Sequence, residues 1–144
     1  MWGKHTLYEN ALKSALIIRS PFEEHQTKKV NTIIETVDIY PTIMELCNID
    51  IKHKIDGESF RDAFTGTDPK ADQVAYSYYR NGISLRTEKY RLTKYFRHDE
   101  PTVELYDHIK DPYETKNIAQ LNPDIVKTLM PLLEKGNTGL YKGN

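Results

Sequence analysis

The chain opens on a mixed stretch. Between Lys4 and Lys13, Leu7, Tyr8, Ala11 and Leu12 recur at roughly helical spacing over too short a span to stand alone, which predicts a loop or a helical turn. Ala15-Leu16-Ile17-Ile18-Arg19 is a short apolar run closed by Ser20-Pro21, the pattern of a buried strand. Glu23 to Lys29 is entirely polar and predicts an exposed loop, and Val30 to Ile34 a further short strand. The clearest helix starts near Thr36 or Asp38, both good N-cap residues. Ile39, Ile43, Leu46 and Cys47 then share one face, Pro41 is tolerated only in the first turn, and Asn48 marks the end. Asp56-Gly57 reads as a turn, and Ser59 to Phe64 as a short helix before the breakers from Gly66 to Pro69.

From Val74 the period changes to two. Val74–Arg80, Ile83–Arg86 and Tyr90–Phe96 read as strands, the first pair joined through Asn81-Gly82, a strong hairpin signal. Tyr90, Leu92, Lys94 and Phe96 alternate with Arg91, Thr93, Tyr95 and Arg97, giving a strand with two unlike faces. Val103–Tyr106 predicts a fourth strand after a loop at His98–Pro101, and Asp111-Pro112 a turn. Asn122-Pro123 opens a last helix whose face is Ile125, Leu129, Leu132 and Leu133, with a kink at Pro131 and a stop at Gly136. The sum is an α+β chain with a closing helix. Its expected division is 1–72, strand and helix, followed by 73–144, an antiparallel meander packed with a helix.

Composition narrows the partners. No apolar run approaches the roughly 20 residues of a membrane helix, and residues 1–5 show no secretory pattern. Twenty basic residues face 21 acidic ones, a balance that argues against a nucleic-acid partner, whose phosphates call for a basic surface. The lone Cys47 allows no intrachain disulfide and, on the apolar helix face, reads as a buried hydrophobe rather than a nucleophile. Tyr76-Ser77-Tyr78-Tyr79 suits a half-buried strand or a sugar-contacting surface.

The candidate chemistry is sparse. No Gly-x-Ser-x-Gly elbow and no Cys-x-x-Cys pair occurs, and the five histidines lack metal-ligand spacing. Asp107-His108 with Asp111 and Glu114 is the densest acidic group, but beside Pro112 such residues ordinarily cap backbone amides. Asp50, Asp56 and Glu58 lack the alternating spacing of a calcium loop.

Taken together, six segments resemble the formylglycine-dependent sulfatases of the alkaline-phosphatase-like superfamily, and particularly their iduronate-2-sulfatase-like branch. They are Trp2-Gly3-Lys4-His5-Thr6-Leu7-Tyr8-Glu9; Leu16 to Pro21; Thr36-Val37-Asp38-Ile39-Tyr40-Pro41-Thr42; Asp56-Gly57-Glu58-Ser59-Phe60; Ser84-Leu85-Arg86-Thr87 with Lys89-Tyr90-Arg91; and Glu104 to Asp107 with Asp111-Pro112, Glu114 and Asn117. The resemblance implies the end of a sulfatase catalytic domain over 1–72 and an antiparallel C-terminal subdomain over 73–144. It implies that Lys4 binds the sulfate group, its ammonium offsetting charge that grows on the sulfuryl oxygens in the transition state. His5 would contact sulfate or leaving group, or support Lys4.

The family nucleophile is a Cys or Ser, matured to formylglycine, in a Cys/Ser-x-Pro/Ala-x-Arg motif. No Cys or Ser here has Arg four residues on. The resemblance places the calcium ligands upstream of Met1, so the chain is expected to be inactive alone. For the parent enzyme it implies a sulfated carbohydrate substrate, such as uronic-acid units of glycosaminoglycans, and a periplasmic or secreted location. The isolated chain is expected to self-associate through its Leu16–Arg19 strand. Two alternatives stay open: a non-catalytic carbohydrate-binding or assembly module using Tyr76–Arg80, and a phosphoester or phosphonate hydrolase of the same superfamily.

Overall fold

The computed structural model describes residues 4–19, 29–65, 73–96 and 102–139. The Ser20-Pro21 stop, most of the polar stretch before Lys29, the Gly66–Pro69 breakers and the His98–Pro101 loop lie outside them. The chain divides into two compact units, residues 15–73 and residues 1–14 together with 74–144. The junction before Val74 falls where the period changes in the sequence. Residues 4–14 group with the sheet, where Leu7 is buried.

In the unit of residues 15–73, Thr36–Asp38 forms a 3₁₀ turn that runs into helix α2, Ile39–Leu46. (Helix α1 is Glu9–Leu12, and α3 is Asp62–Thr65.) Pro41 falls in the first turn of α2, and Asn48 follows its end with φ of 53°. The buried face is not the expected one. Pro41 and Thr42 are buried, while Tyr40, Ile43 and Cys47 are exposed, so Cys47 is no core residue. The reason is polar. Asp38 accepts the Glu35 amide at 2.7 Å and the Glu58 amide at 2.9 Å. Thr42 Oγ1 accepts the Phe60 amide at 3.1 Å and donates to the Asp38 carbonyl at 2.7 Å. Gly57 lies against the Val37 carbonyl so closely that a Cβ would collide with it. The segments 36–42 and 56–60 are thus one hydrogen-bonded unit. The strands expected at Ala15–Arg19 and Val30–Ile34 do not form. Both stretches lack ladder bonds, and Ile17 is 91% exposed.

The second unit is built on a four-stranded antiparallel meander: β1 Ala75–Tyr79, β2 Gly82–Arg86, β3 Tyr90–Tyr95 and β4 Thr102–Asp107, in that spatial order. The register aligns Leu85 with Leu92 and Leu92 with Leu105, so Ile83, Leu85, Leu92 and Leu105 share the apolar face. Each is fully buried, worth roughly 1.5–3 kcal/mol apiece. Helix α4, Pro123–Lys135, covers them with Leu129 and Leu133 and continues through Pro131 to Gly136. Asn122 precedes it with Pro123 at the first position, but its side-chain amide donates to the Ile118 carbonyl instead of capping the helix. The Tyr76 and Tyr78 hydroxyls donate to the carbonyls of Leu132 and Gly136 at 2.8 and 2.6 Å. These two tyrosines therefore hold the helix, and Tyr76 is half-buried against the core.

The opposite face carries Ser84, Arg86, Arg91, Thr93, Glu104 and Tyr106, and residues 4–12 lie on it. Leu7, 1% exposed, fits over Gly82. That contact explains a shift in the hairpin. The register pairs Tyr79 with Gly82, so Arg80-Asn81 forms the two-residue loop and the glycine is a strand residue. Gly82 has no positive φ; it is needed because a Cβ would come within 2.8 Å of the Tyr95 ring and 2.9 Å of Leu7. Arg80 takes the left-handed conformation instead, with φ of 50°. Gly82→Ala is expected to destabilise this unit by about 1–3 kcal/mol through overpacking, read as a lower urea midpoint at unchanged slope. An unchanged midpoint would show that Leu7 can move aside at no cost.

Candidate functional site

Two features occupy the polar face of the sheet. The first is a buried ionic network. Glu114, with φ of 55° and a side chain 1% exposed, places its carboxylate under α1. Its Oε1 accepts Arg91 Nε at 2.5 Å and contacts His108 Nε2 at 2.8 Å, while Oε2 accepts the Glu9 amide at 2.7 Å. Arg91 Nη2 reaches Glu9 Oε2 at 2.5 Å, Arg91 Nη1 donates to Ser84 Oγ at 3.1 Å, and Arg86 Nε lies 3.5 Å from the same Glu9 oxygen. Burial pushes the Glu114 carboxyl up, but His108, the Glu9 amide and Arg91 together outweigh it and hold it below the usual range. Burial draws the Arg86 guanidinium down, opposed by Glu9.

Sequence reasoning did not foresee this convergence. Its only signal was that Glu9, Arg86, Arg91 and Glu114 each stand in one of the motif segments. Asp107 and Asp111 do what their turn implied. Asp107 accepts the Ile109 amide at 3.0 Å, and Asp111 accepts those of Thr115 and Lys116 at 2.7 and 2.9 Å. Those bonds, the Lys116 amide foremost, hold the Asp111 carboxyl low. Asn117 pins the edge strand, its Oδ1 accepting the Leu105 amide at 3.0 Å.

The second feature is a cleft of about 620 Å³ beside the network, walled by residues 5–8, the hairpin tip 79–81, Tyr95 and Glu104. His5 stands at its edge, its ring 5.9 Å from that of Tyr79. Arg80 lies over the Tyr79 ring at 5.3 Å. Tyr8 meets Tyr106 edge-on at 6.0 Å, and the Tyr106 hydroxyl donates to Glu104 Oε2 at 3.3 Å. Burial, then the Glu104 charge, pushes the Tyr106 phenol up, so it stays a neutral donor. Lys4 is exposed and, among the described residues, forms no ion pair. The structure thus puts His5 on the cleft and Lys4 one residue away.

Calcium, which the sulfatase resemblance implies, has one candidate ligand group among the described residues: Glu9, His108 and Glu114. The group does not fit. Calcium takes six to eight oxygen ligands, whereas here an imidazole is one of three donors and the Arg91 guanidinium already pairs with both carboxylates.

The architecture is an α+β unit, an antiparallel meander with a helix on one face and an N-terminal segment on the other, and sulfatase structures share it. The chain belongs to the N-sulphoglucosamine sulphohydrolase C-terminal family, whose model matches residues 1–137. A sulfatase of Formosa agariphila is 29% identical over 119 residues, covering 82% of this chain and 23% of that protein. A solved 2-O GAG sulfatase superposes with a TM-score of 0.55 at 28% identity, over 70% of this chain and 24% of its own. A putative sulfatase from Bacteroides fragilis superposes with a TM-score of 0.62 at 22% identity, over 68% of this chain and 23% of its own. The chain thus spans about a quarter of the length of these relatives.

Proposed function

We infer that this chain is the C-terminal part of a sulfatase of the iduronate-2-sulfatase-like branch, a sulfuric ester hydrolase acting on sulfated carbohydrate such as uronic-acid units of glycosaminoglycans. The observation that carries the sulfatase part of this reading is the family match running from the Lys4 segment through α4, and the branch rests on the motif resemblance. One structural relative, a 2-O GAG sulfatase, supports the substrate class. The exposed apolar side chains of residues 15–73, Ile17, Val37, Ile43 and Ile49 among them, support a surface that a longer protein would cover and that would promote self-association without it.

In this reading Lys4 binds the sulfate. Its exposed ammonium supplies a point charge with three donors where negative charge develops on the sulfuryl oxygens. His5, at the cleft edge, would contact the sulfate or the leaving group, or support Lys4. The nucleophile and calcium ligands would come from outside these 144 residues, and export to the periplasm or beyond follows the sulfatase resemblance. The runner-up module reading loses part of its surface, because Tyr76 and Tyr78 bind α4.

The test is to express the protein with the coding region upstream of Met1 and assay it on 2-O-sulfated uronate disaccharides and on phosphate and phosphonate monoesters. Sulfate release well above phosphate release is expected. A preference for the phosphorus esters would move the chain to the sister activity, and no hydrolysis of either would favour the non-catalytic module.

A further inference from the structure

Glu114 sits in a turn that is both strained and locked. Its φ of 55° lies in the left-handed region, which among residues with a side chain favours Asn, Asp or His rather than Glu. Hydrogen bonds on both sides hold it there. The Glu114 amide donates to the Asp111 carbonyl at 3.1 Å, and the Asp111 carboxylate accepts the amides of Thr115 and Lys116. Backbone strain persists only where its surroundings over-determine it, and it concentrates where a side chain is needed in one place. Here that place is the backbone of Glu9, 105 positions earlier in the chain, whose amide donates to Glu114 Oε2 at 2.7 Å.

A buried ionic network gains little stability by itself. Desolvating the charges costs about as much as their attraction returns, so apolar side chains of the same volume would serve as well. What apolar side chains could not supply is direction. Arg91 Nη2 fixes the Glu9 carboxylate at 2.5 Å, Glu114 fixes the Glu9 amide, and Arg91 Nε joins the two at 2.5 Å. Leu7, buried over Gly82, adds an apolar contact just before them. Beyond Glu9 the chain turns into α1, where the Ala11 and Leu12 amides donate to the Tyr8 carbonyl. The segment is thus held at Leu7 and at Glu9, and the exposed Lys4 comes shortly before the held stretch. Three residues of chain span at most about 11 Å, so Lys4 cannot be placed independently of Leu7 and Glu9.

We propose that Glu114 and Arg91 are positioning residues, which set where Lys4 stands by holding Glu9 to the sheet. The proposal rests on the reading of Lys4 as the sulfate-binding group. The sheet then acts on the reaction through Lys4, and neither Glu114 nor Arg91 touches the substrate.

The test uses Arg91→Met/Glu114→Met, which removes both buried charges together and leaves neither uncompensated. Amide hydrogen exchange in the 144-residue chain reads the holding. In the variant the amides of Glu9, Ala11 and Leu12 should exchange about tenfold or more faster, as loss of a hydrogen bond to a charged acceptor implies. Those of Leu85 and Leu92, in the sheet core, should keep their protection. Glu114→Asp gives the same reading should the double variant fail to fold. Aspartate accepts the left-handed position and keeps the charge, but it draws the carboxylate back from Glu9 by one methylene.

In the longer protein, assayed well below the unfolding midpoint, the double variant should lower kcat about 10- to 10²-fold, the scale of a misplaced binding group. In a Lys4→Ala background the same change should alter kcat less than about twofold, because the group being positioned is gone. A merely structural role would lower both by the same factor. Unchanged exchange at residues 9–12, or equal factors in the two backgrounds, would overturn the proposal. Full sulfate hydrolysis by Lys4→Ala, or none by the longer wild type, overturns the sulfate role of Lys4 instead. Exchange in the 144-residue chain then still decides whether the network holds the segment.

Discussion

Replacing Glu114 by glutamine is expected to destabilise the sheet unit by about 3–5 kcal/mol, the range for removing one partner of a buried ion pair. The reason lies in how many groups share that carboxylate. Arg91 Nε, His108 Nε2 and the Glu9 amide all converge on it. Glutamine has one acceptor oxygen for them, carries no charge, and adds an amide whose hydrogens face the guanidinium. Arg91, 2% exposed at its side chain, then keeps only the Glu9 carboxylate and Ser84. Urea unfolding of Glu114→Gln, Arg91→Met and the pair measures the coupling. A double variant that loses much less than the sum of the single variants is expected, because removing both charges leaves neither uncompensated. A loss below about 1 kcal/mol in both single variants, the range for exposed pairs, would show that water reaches the network.

The same carboxyl sets an acid limit. Its folded pKa lies below the ordinary 4.5, so the folded state takes up this proton less readily than the unfolded chain. The stabilisation is therefore fully present above about pH 4.5 and is lost as pH falls through the folded value. Urea midpoints measured from neutral pH downwards should fall below that point in the wild type and fall less steeply in Glu114→Gln. Parallel curves would assign the acid sensitivity to other carboxylates.

The second large effect concerns Lys4. In the protein that includes the region upstream of Met1, Lys4→Ala is expected to lower kcat about 10²–10³-fold, the range for removing one donor to a developing anion. Lys29→Ala, an exposed lysine of the other unit, should stay within about twofold, inside the usual scatter of surface substitutions. The 144-residue chain by itself should hydrolyse no aryl or sugar sulfate, because no Cys or Ser in it stands four residues before an Arg. Comparable small effects of both lysine variants would remove Lys4 from the sulfate site. Turnover by the purified chain, abolished by Lys4→Ala, would mean that these residues contain a nucleophile of another kind.

Wherever one face of an element meets one partner, hydrophobic patterning was enough. The four strands and α4 lie where the period of two and the face of Ile125, Leu129 and Leu133 put them, within a residue or two. It misled where polar groups do the holding. In α2 the periodicity chose Ile43 and Cys47, whereas the Thr42 hydroxyl and the Asp38 carboxylate fix the helix against residues 58–60. Hydrogen bonds between segments leave no apolar period to read. Ala15–Arg19 is apolar enough for a strand but has no ladder partner among the described residues, and composition alone cannot supply one.

By itself the sequence determined the α+β class, the meander, the closing helix and, through its six motif segments, the sulfatase family. Local propensity and ordered motifs survive without knowledge of what touches what. The tertiary structure alone decided that Glu9, Arg91 and Glu114 form one buried network across more than 100 positions of chain. It also decided that Leu7 on Gly82 shifts the hairpin and puts Arg80 in a cleft wall. Pairing of charges and close approach of backbone depend on which distant residues meet, and only the folded chain brings them together.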